Sequence, residues 1–177
     1  MLLSLSQASW PSAAAALYAA MPDGLPEGSV WLALVVLALL LTAAVIDAFK
    51  GIVPDPIIFF GTLLVVVTQG FYVTWPFAAH NLTLGLAGCF AIWAINEAWY
   101  RFLKHDALGM GDAKWTMLAI TAFSIKAALI AWGAGACFAV LWLIGCRIIC
   151  RKIAHVHFAP FLFIGLLGAI FYPLLLA

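Results

Sequence analysis

The sequence predicts an all-α, polytopic membrane protein of about six transmembrane helices, on three observations. Hydrophobic residues make up 67% of the chain and charged residues 8%, with a mean hydropathy of +1.17. Apolar runs of helix length recur along the chain, and the few charges cluster where those runs end. A soluble globular domain is far more charged, so water is excluded as the main solvent and the lipid bilayer is the expected partner. A hydrocarbon core takes roughly 20 apolar residues per crossing, so 177 residues allow about six crossings, short connections and one membrane domain over 30–177. Nothing in the charge pattern suits nucleic acid.

Residues 1–29 contain no Lys or Arg, so the positive start of a secretory signal is missing and the segment is expected to be retained. Pro22, Gly24, Pro26 and Gly28 break it, leaving Leu2 to Leu17 as a candidate interfacial helix. The first secure span is Val30 to Phe49, interrupted by Thr42 and Asp47 and stopped by Lys50, Gly51 and Pro54. The second runs from Ile57 to about Thr74 and the third from Leu82 to Trp99. The fifth covers Ala127 to Gly145 and the sixth Phe158 to Leu176.

The fourth element is short. Only 13 residues separate Asp112 from Lys126, a reach of about 20 Å as a helix. Either Lys126 snorkels to the far interface, or the Gly109-Met110-Gly111-Asp112 stretch starts below the membrane surface as a partly re-entrant segment facing protein or a cavity.

Asp47 is the clearest carboxylate inside an apolar helix, where an ionisable group signals function. Asp112 follows Gly109 and Gly111, which suit unusual backbone angles or the close approach of a second backbone; a plain helix cap is its structural alternative. Asp55 precedes Pro56 and is expected to cap the second helix. Glu97 and Asp106 flank Arg101 and Lys104 as charge compensation, and Asp23 and Glu27 fall in the N-terminal linker. Two carboxylates held close together share one proton, so one can activate water while the other protonates the amide. No metal or other cofactor is expected, because His155 and His157 lack a third ligand and His80 falls on the other side. The four cysteines lie in apolar stretches and read as core residues, although Cys146 and Cys150 share a helix face.

Asp47 followed after six residues by Pro54-Asp55, the run Gly-Met-Gly-Asp-Ala-Lys at 109–114, and Phe158-Ala159-Pro160-Phe161-Leu162 at the start of the sixth helix together resemble the GxGD-type prepilin peptidases of bacteria. The resemblance covers roughly residues 30–177, and the 65-residue separation of Asp47 and Asp112 suits the family better than the 57 from Asp55. It implies a metal-free aspartic endopeptidase of the bacterial inner membrane. Asp47 and Asp112 would be catalytic, while Pro54, Gly109, Gly111 and Lys114 would bind substrate or shape the site. The substrates would be type IV prepilins or pseudopilins with a short basic leader, and pilus-assembly components would be further partners. Trp115, Pro56 and Ala159 depart from the usual pattern, and these departures bear on substrate choice. The chain is similar to short members serving Tad/Flp-type pili. It lacks the cysteine-rich loop of the long members, which argues against N-methylation. Gly85, Gly88, Gly165 and Gly168 are candidates for close helix-to-helix docking of substrate. The competing readings are a small proton-coupled transporter or channel, for which matching broken helices are missing, and an inactive pilus-assembly scaffold.

Topology follows from the cations alone. In a six-helix arrangement Lys50, Arg101, Lys104, Lys114, Arg147, Arg151 and Lys152 fall on one side and Lys126 on the other, so the first side should face the cytoplasm. Both aspartates end up there. Single cysteines placed at 147–152 should therefore resist a membrane-impermeant thiol probe in intact cells, and labelling from outside would invert the arrangement.

Overall fold

The computed structural model describes residues 30–104, 109–149 and 157–175. Among them the regular elements are six helices: α1 Val30–Lys50, α2 Asp55–Tyr72, α3 Trp75–Leu103, α4 Met110–Ala122, α5 Ile125–Ile148 and α6 Ala159–Leu175. The chain is an all-α polytopic membrane protein. Helices α1, α2, α3 and α5 are long and apolar enough to cross a bilayer, whereas α6 has 17 residues and α4 has 13. The outer faces of α3 and α5 expose Leu86, Phe90, Trp93, Phe138, Leu141 and Trp142, a surface that only lipid covers without penalty. The expected interfacial helix in 1–29 lies outside the described residues, as do Asp106, His155, Arg151 and Lys152.

Helices α2, α3 and α5 start earlier than expected, and the starts of α3 and α5 are set by side-chain caps. Helix α3 begins at Trp75 rather than Leu82 because the Thr74 hydroxyl accepts from the Phe77 N–H at 3.3 Å, with Pro76 in the first turn where its missing N–H breaks no bond. Helix α5 begins at Ile125 because the Ser124 hydroxyl accepts from the Ala127 N–H at 3.1 Å. The far end of α3 extends to Leu103 and closes on Lys104, whose left-handed φ of 58° turns the chain while its N–H bonds the Tyr100 carbonyl. There Arg101 pairs with Glu97 at 2.9 Å, the compensation expected of that acid.

Helix α4 touches all five other helices, and nine of its 13 residues are buried. Its apolar character therefore faces every direction rather than one stripe. It runs straight through the bundle beside α2 and in the same direction: Lys114 meets Asp55 at the start of α2, and the Thr121 carbonyl accepts from Gln69 Nε2 at 2.9 Å near its end. The short form of the fourth element is the one adopted, and protein rather than lipid surrounds it. Gln69 is fully buried and also accepts from Asn81 Nδ2 at 3.2 Å. These bonds tie α2, α3 and α4 together away from Asp112, as polar side chains do between membrane helices.

Small residues set the helix spacings. A Cβ at Gly85 would collide with Thr121 Oγ1 and approach the Met117 carbonyl to 2.8 Å, one at Gly88 would strike Ile120, and one at Gly165 would strike the Ala131 carbonyl. Three of the four glycines expected to receive a substrate helix are thus occupied inside the protein, because α3 packs on α4 and α5 on α6 through them. Gly168 alone of the four has open space.

Substituting Gly165 with Ala should lower the thermal stability of the detergent-solubilised protein by about 1–3 kcal/mol, since the collision is with backbone that cannot rotate away. Gly168→Ala should be neutral or raise stability by up to about 1 kcal/mol, through helix propensity. Melting curves of the two variants beside wild type check both.

Candidate active site

Helix α1 delivers Asp47 in its last turn and then stops. Gly51 adopts the left-handed conformation with φ +68°, and its N–H bonds the Asp47 carbonyl at 2.7 Å, so the chain leaves the helix directly beside the Asp47 side chain. Residues 51–54 continue as non-helical chain to Pro54, whose extended φ −69°, ψ 121° opens α2. Val53 is buried and lies against Gly111: a Cβ there would come within 2.7 Å of Val53 Cγ2. Gly111 is thus needed for close approach. Neither Gly109 nor Gly111 has a positive φ, so the unusual backbone angles expected of this pair are not used.

Asp112 occupies the first turn of α4, and its N–H bonds the Gly109 carbonyl at 3.0 Å. Its Oδ2 accepts from the Gly109 N–H at 3.2 Å; the N-cap is Gly109, so Asp112 is not the cap considered for it from the sequence but the third helical residue bonding back to it. Its position is fixed from behind. The Thr116 hydroxyl donates to the Asp112 carbonyl at 2.7 Å and accepts from Trp132 Nε1 of α5 at 2.8 Å. Trp115, fully buried, donates from Nε1 to the Leu40 carbonyl of α1 at 3.4 Å. One turn of α4 is therefore anchored to both α1 and α5.

Asp47 and Asp112 are 8% and 7% exposed, come from different helices, and line one cavity of about 640 Å³. They are electrostatic neighbours. The cavity walls also include Gly51, Val53, Pro54, Asp55, Gly109, Gly111, Lys114, His157 and Phe158. All six residues singled out from the sequence, Asp47, Pro54, Gly109, Gly111, Asp112 and Lys114, therefore meet at one place. The backbone N–H of Ala159, at the start of α6, acts electrostatically on the Asp47 carboxylate, which brings the start of α6 to the site.

Two assignments change. Asp55 does not cap α2: it is the first helical residue, with no side-chain cap bond, and Oδ1 instead accepts from Lys114 Nζ at 2.6 Å. Its carboxylate stands at the cavity mouth, 70% exposed. His157, set aside from the sequence for want of a third metal ligand, lines the cavity next to Asp47. Only its place just before the sixth helix hinted at this. Among the described residues no group of three or more His, Cys, Asp or Glu side chains is arranged to hold a metal ion.

The arrangement offers two enclosed carboxylates, a backbone donor to Asp112, and a mouth with one cation and one anion. It can hold a polar, extended segment against an acid–base pair. In comparisons with known proteins, no family model, curated protein or solved structure matches the chain.

Proposed function

We propose that the chain is a membrane aspartic endopeptidase that removes the leader from type IV prepilin or pseudopilin precursors. The observation that carries this reading is the convergence of Asp47 and Asp112, both buried and on separate helices, in one cavity. The cavity adjoins apolar helices, so a precursor with a polar leader and an apolar helix can keep the helix in lipid while the scissile segment enters. The excess of cations at the helix ends around the cavity supports a cytoplasmic site in a bacterial inner membrane.

In this mechanism the pair carries one proton. The ionised carboxylate takes a proton from water as the water oxygen bonds to the scissile carbonyl carbon, and the protonated carboxyl gives its proton to the carbonyl oxygen. When the tetrahedral intermediate collapses, the C–N bond breaks, the leaving nitrogen takes a proton from the protonated carboxyl, and a hydroxyl of the intermediate gives its proton to the other carboxylate, so a carboxylic acid forms and the pair again carries one proton. No metal and no organic cofactor enters these steps. Gly111 supports the reading through the contact it permits: a side chain there would push the 51–54 segment away from α4 and disturb the cavity.

Asp47→Asn and Asp112→Asn should each reduce prepilin cleavage by roughly 10²–10⁴-fold, with the double variant no worse than either single, because the two act as a unit. Cleavage by membranes holding matched amounts of each variant is the measurement, and substantial processing by either single variant would end the mechanism.

Asp55→Asn should retain most activity. The pair it forms with Lys114 is largely exposed, and such pairs contribute at most about 1 kcal/mol, or roughly fivefold. An inactive Asp55→Asn beside an active Asp47→Asn would move the catalytic pair to Asp55 and Asp112.

A further inference from the structure

We infer that His157 is a positioning residue for the carboxylate pair: when protonated it holds the negative charge on Asp47, leaving the shared proton on Asp112, so that Asp47 is the base toward water and Asp112 the acid. The inference rests on the peptidase reading and assigns the two carboxylates different roles within it.

Among the described residues, five titratable side chains line the cavity: Asp47 from α1, Asp55 from α2, Asp112 and Lys114 from α4, and His157 from the segment entering α6. Lys114 is engaged with Asp55 at 2.6 Å, and Lys50, on the last turn of α1, is exposed. Among the described residues, His157 is the remaining lining group that can place a cation beside the aspartates. Its ring lies against the turn that ends α1, where a Cβ on Gly51 would come within 2.9 Å of Cε1. Gly51 is therefore required twice, for its left-handed φ and for room for the imidazole. From there His157 acts electrostatically on Asp47. Two residues later the backbone N–H of Ala159, at the positive end of the α6 dipole, acts on the same carboxylate in the same sense.

Asp112 has different surroundings. Its carboxylate accepts from Gly109, faces Asp47 as a neighbouring like charge, and has Lys114 drawn off to Asp55. A cation on one side of a proton-sharing pair fixes which member ionises.

The test compares pH profiles of prepilin cleavage for wild type, His157→Gln and His157→Lys. In the Gln variant the acid limb should move to higher pH, with a loss of roughly tenfold near pH 5.5 that narrows as the pH rises. The Lys variant, with its permanent cation, should keep the acid limb of wild type. A Gln profile that superimposes on wild type, or falls by one factor at every pH, would overturn the inference, the second because it marks a purely structural role. If wild type cleaves nothing, the peptidase reading fails, and the pairing is decided by thermal melting in detergent. There the Tm shifts of Asp47→Asn and His157→Gln should fail to add near pH 5.5 and should add near pH 8.5. Additivity at both would remove His157 from the site.

Discussion

A helix of 13 residues reaches about 20 Å, too little to cross the hydrocarbon unaided, and backbone polar groups beyond its ends would meet lipid with no partner. Helix α4 escapes this constraint because five other helices enclose it. That enclosure explains the glycines of α3, which let α4 approach closely, and the Gln69, Asn81 and Thr121 bonds that close its far end. It also explains how Asp112 can be secluded while sitting in a first turn, a position that on an isolated helix would be open to water.

The same enclosure makes the site stiff. Asp112 is held through Thr116 to Trp132 on α5, and Trp132 packs on Phe158 with ring centroids 5.1 Å apart. Phe158 in turn lines the cavity and precedes the Ala159 N–H that reaches Asp47. A path of contacts therefore passes from one carboxylate to the other through α5 and the start of α6, behind the cavity rather than across it. In the proposed reaction, carboxylates held in this way would need little rearrangement when charge moves between them. The mouth differs in kind, because Asp55 and Lys114 form an exposed pair that water competes for, so it can open to a charged segment at small cost.

The sequence was most informative where one physical rule dominates. Hydropathy and length reveal the spans, and the low tolerance of lipid for charge makes Asp47 conspicuous. Gly109, Gly111 and Asp112 stand out because two glycines beside a carboxylate have few ordinary explanations. Properties that depend on the partner helix were not legible. Gln69 looks like one polar residue in an apolar run until Asn81 and Thr121 face it. Gly85 and Gly165 look available for a substrate helix until α4 and α5 are found against them. His157 carries no pattern of its own, and its meaning comes from Gly51, more than 100 residues earlier in the chain. The helix starts at Trp75 and Ile125 were legible in principle, since Thr74 with Pro76, and Ser124, are ordinary cap signals that the hydropathy of the spans outweighed.

Motif spacing raises the question of whether Asp47 or Asp55 partners Asp112 in the proposed mechanism, and burial favours Asp47. Both line the cavity, eight residues apart, one on each side of the 51–54 segment. Asp55 is exposed and already paired with Lys114, so its charge is compensated and hydrated; such a carboxylate gains little by sharing a proton. Asp47 is nearly enclosed, has an electrostatic neighbour in Asp112, and is met by Ala159 and His157 on its other side. In that setting a second full negative charge is costly, and sharing one proton lowers the cost for both groups. Asp55 thus stands outside the pair, as the hydrated partner of Lys114 at the mouth of the cavity.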